Sequence, residues 1–203
     1  MKSATRFFAT LAALLLWLTC AASVWAQNRA DDRAAIVEMT HCYAYAVDIL
    51  GNAGAREGTD AGLASATAKF KQCLTDDAKL QLFFSGREGE PTPAGSGGPA
   101  AFAQFVRTYF TAYRYSATQH IVGNVSITFT APNRASVVSY IQANHWLDDG
   151  RLLIVPVRYE DEAVREDGGW RIAKRDIIAN LFWVTQGYYA NPVDPKLSRA
   201  AAP

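Results

Sequence analysis

Thr118-Gln-His-Ile-Val-Gly-Asn-Val-Ser-Ile-Thr-Phe-Thr130 opens a stretch in which the hydrophobic period becomes two and stays two to Trp183. The run divides into Thr118–Thr130, Arg134–Leu147, Leu152–Arg165 and Trp170–Trp183. Its separators are Ala131-Pro-Asn133, Asp148-Asp-Gly150 and Glu166-Asp-Gly-Gly169, all residues suited to hairpin turns. Four strands joined by hairpins make an antiparallel meander. One face of such a sheet must be covered, and the cover has to come from elsewhere in the chain.

The cover lies upstream. Asp31-Asp32 can cap a helix in which Ile36, Tyr43, Ala44, Val47 and Leu50 recur near helical period, and the Gly-rich stretch 51–58 ends it. A second helix is expected from about Asp60 to Leu74, with Leu63, Phe70 and Leu74 on one side, followed by a short strand from Ala78 to Ser85. Gly86 to Gly98 reads as a Gly/Pro-rich loop of the kind that rims a site. Pro99 suits the first turn of a third helix carrying Phe102, Phe105, Val106, Tyr109, Phe110 and Tyr113. Helices that precede a sheet instead of alternating with it indicate α+β. The expected fold is three N-terminal helices packed on the concave face of a strongly curved, mostly antiparallel sheet, with a ligand cavity between the layers.

Asp48 ends the first helix, His120 lies on the first long strand and Tyr159 on the third. Tyr43, five residues before Asp48 and so roughly 140° from it around the helix, can flank the same cavity. These groups can move a proton if the fold converges them. Each has a structural alternative. Asp48 opposes the helix dipole and could be a solvated turn residue, and His41, Tyr45 and Asp48 could form a polar outer stripe. His120, sharing a face with Val122 and Asn124 by period two, could be a satisfied structural histidine, and Tyr159 could be core packing. His145, near a strand end, reads as a surface or subunit-contact residue. The histidines lack metal-ligand spacing and there is no cysteine cluster, so no metal is expected, and no cofactor fingerprint appears.

Lys2 and Arg6, an apolar run from Phe7 to Thr19, and Val24-Trp25-Ala26 form a secretory signal peptide expected to be cut after Ala26. The expected organisation is signal peptide 1–26, one domain 27–185 and a tail 186–203, with the mature protein periplasmic or secreted and off the membrane after cleavage. Removing the signal takes the formal net charge from +1 to −1, leaving no basic stripe for nucleic acid. About 177 residues remain, enough for one full core. Cys42 and Cys73 stay in an oxidising compartment on consecutive helices, as a disulfide or as two buried thiols.

Several local patterns carry a family resemblance. Tyr43, Ala46 and Asp48 end the first helix, and Phe70-Lys-Gln-Cys-Leu-Thr-Asp-Asp77-Ala78 leads into the first strand. His120 and Asn124 fall on the first long strand, and Tyr159-Glu-Asp161, Arg165, Gly169-Trp170-Arg-Ile172 and Arg175 on the last two. In order and spacing this resembles the SnoaL-like and nuclear-transport-factor-2-like superfamily, over about Asp31 to Trp183. That superfamily includes dehydratases, polyketide cyclases, ketosteroid isomerases and epoxide hydrolases, and also members without catalysis, so fold alone does not fix function. The resemblance implies that, if the protein is an enzyme, it is a cofactor-free dehydratase or isomerase acting on a small hydrophobic alcohol, ketone or epoxide through an Asp48–His120 pair, with Tyr43 and Tyr159 as hydrogen-bond donors. Asn124, Tyr45, Phe84, Phe105, Tyr109 and Trp183 are expected to bind the substrate. The alternatives are a non-catalytic binder of such a molecule, or an interaction module of the cell envelope that uses the convex sheet face to self-associate, as a homodimer or homotrimer, or to join an envelope complex.

Overall fold

The computed structural model describes residues 29–52, 60–84, 91–166, 169–179 and 181–185. The proposed signal peptide, the tail 186–203 and most of the stretches 51–58 and 86–90 lie outside the described residues. The chain divides into two compact units at Ala35/Ile36. Of the first, residues 29–35 are described and are helical. The second begins with α1 (36–52) and holds α2 (Asp60–Cys73), β1 (Leu74–Phe84), β2 (Thr92–Ser96) and α3 (Gly98–Ala112). The long strands follow: β3 (Tyr115–Ala131), β4 (Arg134–Leu147), β5 (Leu152–Glu166) and β6 (Gly169–Ala179), then a short β7 (Trp183–Thr185).

The helices form where the apolar spacing places them. Ile36, Met39, Tyr43, Val47 and Leu50 are buried along α1, Ala66, Phe70 and Cys73 along α2, and Phe102, Val106 and Phe110 along α3. Burying each large side chain contributes roughly 1.5–3 kcal/mol. Tyr43, Phe70 and Phe102 meet as one aromatic knot, with ring centroids 5.0–5.6 Å apart, in the edge-on and stacked geometries that add to simple area burial. Gly98 starts α3 at φ 76, and a Cβ there would run into the Asp76 carbonyl, so only glycine fits.

The sheet runs in the order β2-β1-β6-β5-β4-β3, with β7 added beside β5. The four-strand meander pairs antiparallel throughout, and β1 joins β6 in parallel. The fold is α+β with three helices and a curled, mostly antiparallel sheet that does not close. Bulges between Gly123 and Ser126 and between Glu162 and Ala163 add twist, which is how long strands bend around a cover. Two segments differ from the reading of the sequence. Within the stretch read as a rim loop, 92–96 pairs with β1 as an edge strand. The last strand, read as continuous to Trp183, ends at Ala179, and Trp183–Thr185 turns back onto the start of β5.

On β4 and β5 the odd-numbered residues face the helices: Val137, Ser139, Ile141 and Ala143 are buried, as are Val155, Val157, Tyr159 and Asp161. On the outer face, Ile121 and Tyr140 are about half exposed.

Candidate functional site

Between the helices and the sheet lies a cavity of about 100 Å³. One wall is aromatic: Phe102, Phe105, Tyr109 and Phe110 from α3, with Tyr115, Phe84 and Phe182. The opposite wall is the aliphatic inner face of the sheet, including Ala143, Val155, Val157 and Ile177. The polar groups that reach the cavity are His120, His145, Tyr43 and Tyr159, with Tyr109 and Tyr115 alongside.

His120 and Asp48 meet across 72 positions of sequence. Asp48 Oδ1 lies 2.7 Å from His120 Nδ1 and accepts from Thr118 Oγ1 at 2.9 Å, while Oδ2 accepts from the His120 backbone N–H at 2.9 Å. Burial pushes the Asp48 carboxyl up, but the hydrogen bonds and charge of His120, with the Thr118 hydroxyl, outweigh it and hold the pKa below the ordinary carboxylate value. An ionised carboxylate only accepts, so Nδ1 donates in this contact and Nε2 is the ring nitrogen outside it. His120 lines the cavity; Asp48 stands behind it.

The floor is Tyr43 and Tyr159, edge to face at 5.6 Å, with the Arg175 guanidinium carbon 3.9 Å and 4.2 Å from their ring centroids. Arg175 forms a bidentate pair with Asp161 at 2.7 Å and 2.6 Å, and both side chains are fully buried. Burial pushes the Asp161 carboxyl up while Arg175 pulls it down, and the Arg175 pKa rises. The two short, parallel bonds are those of an ion pair, in which the Asp161 carboxylate holds Arg175 charged. Burial, and then Tyr159, raises the Tyr43 pKa well above 10. Tyr159 is raised too, by burial first. Both phenols therefore stay protonated and are not available as bases.

His145 is 7% exposed and lines the cavity, contrary to the surface role its place near a turn suggests. Its ring stacks on Tyr115 at 4.4 Å and meets His120 edge-on at 5.5 Å. Burial, then the His120 charge, pushes its pKa down to about 3, so it is neutral. Its Nδ1 is buried without a partner among the described residues.

Phe84, Phe105 and Tyr109 line the cavity as expected, and three expected binding residues do not. Tyr45 is 66% exposed: two residues beyond Tyr43 is about 200° around the helix, which turns it to the outside. Trp183 is 60% exposed, and its neighbour Phe182 takes the cavity position, packing on Phe84 at 6.0 Å. Asn124 has φ 49 and sits in the β3 bulge, where the extra residue breaks the alternation; its side chain is exposed while Val122 and then Val125 turn inward. Cys42 and Cys73 are bridged, with Cα atoms 6.0 Å apart, tying α1 to the end of α2. Among the described residues no three His, Cys, Asp or Glu side chains group as metal ligands.

A family model for the SnoaL-like domain matches residues 60–176. The chain belongs to the SnoaL-like domain family. The match spans His120, His145, Tyr159 and Arg175; α1, with Tyr43 and Asp48, precedes it. Similar solved structures share the fold of the nuclear-transport-factor-2-like superfamily. One is the Kfla4162 protein of Kribbella flavida: 25% identity, TM-score 0.58, covering 76% of this chain and 95% of that one. A second is the LinA-type3 hexachlorocyclohexane dehydrochlorinase of Novosphingobium barchaimii LL02: 20% identity, TM-score 0.60, covering 83% and 99%. A third is a candidate scytalone dehydratase of Novosphingobium aromaticivorans: 20% identity, TM-score 0.57, covering 83% and 97%. No curated protein matches this SnoaL-like chain in sequence.

Proposed function

We propose that this SnoaL-like protein is a cofactor-free lyase of dehydratase type, acting outside the cytoplasm on a small, neutral, hydrophobic β-hydroxy carbonyl compound. The observation that carries the reading is the Asp48–His120 pair at 2.7 Å, its imidazole facing a cavity whose walls are otherwise apolar and aromatic. In that arrangement His120 Nε2 removes the proton next to the carbonyl, and the Asp48 carboxylate orients the ring and stabilises the imidazolium that forms. Tyr43 and Tyr159, held protonated, donate hydrogen bonds to the carbonyl oxygen as it gains charge. The hydroxyl leaves with the proton returned by His120, so one water and one conjugated alkene result. The same base and donors serve an isomerisation when there is no leaving group. Dehydrochlorination and dehydration in the names of two structural neighbours are both eliminations, which supports the class without naming a substrate. Among the described residues that line the cavity there is no Asp, Glu, Lys or Arg, which favours a neutral ligand.

The test is turnover of an aryl β-hydroxyketone to its enone, followed by ultraviolet absorbance. Wild type should turn it over, and His120→Ala should reduce the rate by at least about a hundredfold, the lower end of general-base contributions. Saturable binding of the same ketone without turnover would replace the reading with that of a ligand-binding protein. A self-associating module, for which the exposed Ile121 and Tyr140 are the available outer-face residues, would show neither binding nor turnover.

A further inference from the structure

We propose that Asn52 is a positioning residue for the proton-transfer pair, acting by locking the end of α1 onto β3 so that Asp48 stays on His120. The inference deepens the dehydratase reading and rests on it for its kinetic consequence. Asn52 Nδ2 donates to the Thr118 carbonyl at 2.8 Å, and Asn52 Oδ1 accepts from the Thr118 N–H at 3.2 Å. Asp48, one helical turn earlier, takes the His120 N–H and the Thr118 hydroxyl. β3 ends the main strand order, so among the described residues the outward N–H and C=O groups of Thr118 and His120 have no next strand to pair with. The Asn52 carboxamide, chemically a peptide group, supplies to Thr118 what a next strand would.

The spacing makes the clamp a lever on the chemistry. Residues i and i+4 stand on one face of a helix, so Asp48 and Asn52 grip β3 at positions two apart. Gly51 allows the grip, because any Cβ there would overlap the Thr118 side chain. Both bonds of Asn52 are to backbone, and its side chain does not line the cavity. Asn52 therefore touches no substrate. Its loss frees the last turn of α1 and with it the Asp48 carboxylate, whose own contacts then have to hold the helix end alone.

Two readouts test this in the full protein: kinetics on the aryl β-hydroxyketone, and the low-field proton signal of His120 Nδ1–H in nitrogen-15 histidine-labelled protein. Asn52→Ala should lower kcat by about tenfold to a hundredfold with KM changed less than about twofold, the signature of misplaced groups rather than lost binding. The Nδ1–H signal should broaden or vanish. Asn52→Asp keeps the acceptor for Thr118 N–H and loses the donor to its carbonyl, so it should fall between. If Asn52→Ala does not fold, Asn52→Asp decides the matter on both readouts. A folded variant with kcat and signal unchanged overturns the proposal. Asp48→Asn separates the two ideas. Turnover surviving it removes the proton-transfer reading, while the signal still reports on the clamp. Turnover lost in Asp48→Asn but intact in Asn52→Ala removes the clamp alone. With no turnover in any protein, the signal decides.

Discussion

Acid should destabilise this fold in good part through His145. Its ring is 7% exposed, and burial holds the pKa near 3 against an ordinary 6.5. Between those values the unfolded chain binds a proton at this site and the folded chain does not. Stability therefore rises with pH across the window and is lost as pH falls below 6.5. One pKa unit is worth about 1.4 kcal/mol, so at about pH 4.5 the single site costs roughly 2.5 kcal/mol relative to neutral pH. His145→Phe removes the titration and keeps the stacking on Tyr115. Urea unfolding of both proteins, from about pH 7 to about pH 4.5, isolates the effect as a difference, since the carboxylates are common to both. Wild type should lose ground to the variant steadily as pH falls. A wild-type-minus-variant difference that does not change with pH would refute the buried neutral imidazole. It would also remove the reason for treating His145 as an uncharged wall of the cavity.

Replacing Cys42 and Cys73 together by alanine opens a loop of 31 residues, and chain entropy places the loss near 3.5 kcal/mol; equilibrium unfolding of the oxidised protein against the double variant checks it, and equal stability would mean the bridge constrains nothing. Gly51→Ala should destabilise by roughly 1–3 kcal/mol through overpacking against Thr118, although alanine is about 1 kcal/mol the better helix former; thermal unfolding that shows a gain would place α1 farther from β3 than described. Below the ordinary carboxylate range Asp48 protonates. Because its folded pKa is depressed, the stability it contributes is present at neutral pH and is lost as pH falls through that lower value; Asp48→Asn should remove this part of the acid transition.

The meander was legible because alternation over four long runs with hairpin residues between them has few other solutions. Tyr43 was legible from the helical period, and His120 from its place on the strand. Two of the failures, Asn124 and Trp183, share a cause: a local departure from ideal period. Asn124 was placed beside His120 by counting twos, and a bulge intervened. The signal was in the sequence, since Gly123-Asn124 pairs the residue without a side chain with one that tolerates positive φ. Tyr45 fails as a binding residue on regular geometry: helical spacing also offers it an outer stripe with His41 and Asp48, and it is that outward side it takes, away from Tyr43. Trp183 misses the cavity because β6 ends at Ala179 and residues 183–185 pair with β5, so the alternation of one continuous strand no longer places it. His145, Asn52 and the buried Arg175–Asp161 pair escaped for another reason. Each takes its role from a partner far away in sequence, and a single sequence shows residue types without their partners.

The central claim is that Asp48 and His120 act as one unit on a ligand in the cavity. The double-mutant cycle on enone formation tests it most directly, with His120→Ala, Asp48→Asn and both together, each checked for an unchanged fold by circular dichroism. Groups that act as a unit are strongly non-additive. The account predicts that the double variant is no slower than His120→Ala by more than about twofold. Losses that multiply, or full turnover in His120→Ala, would contradict it.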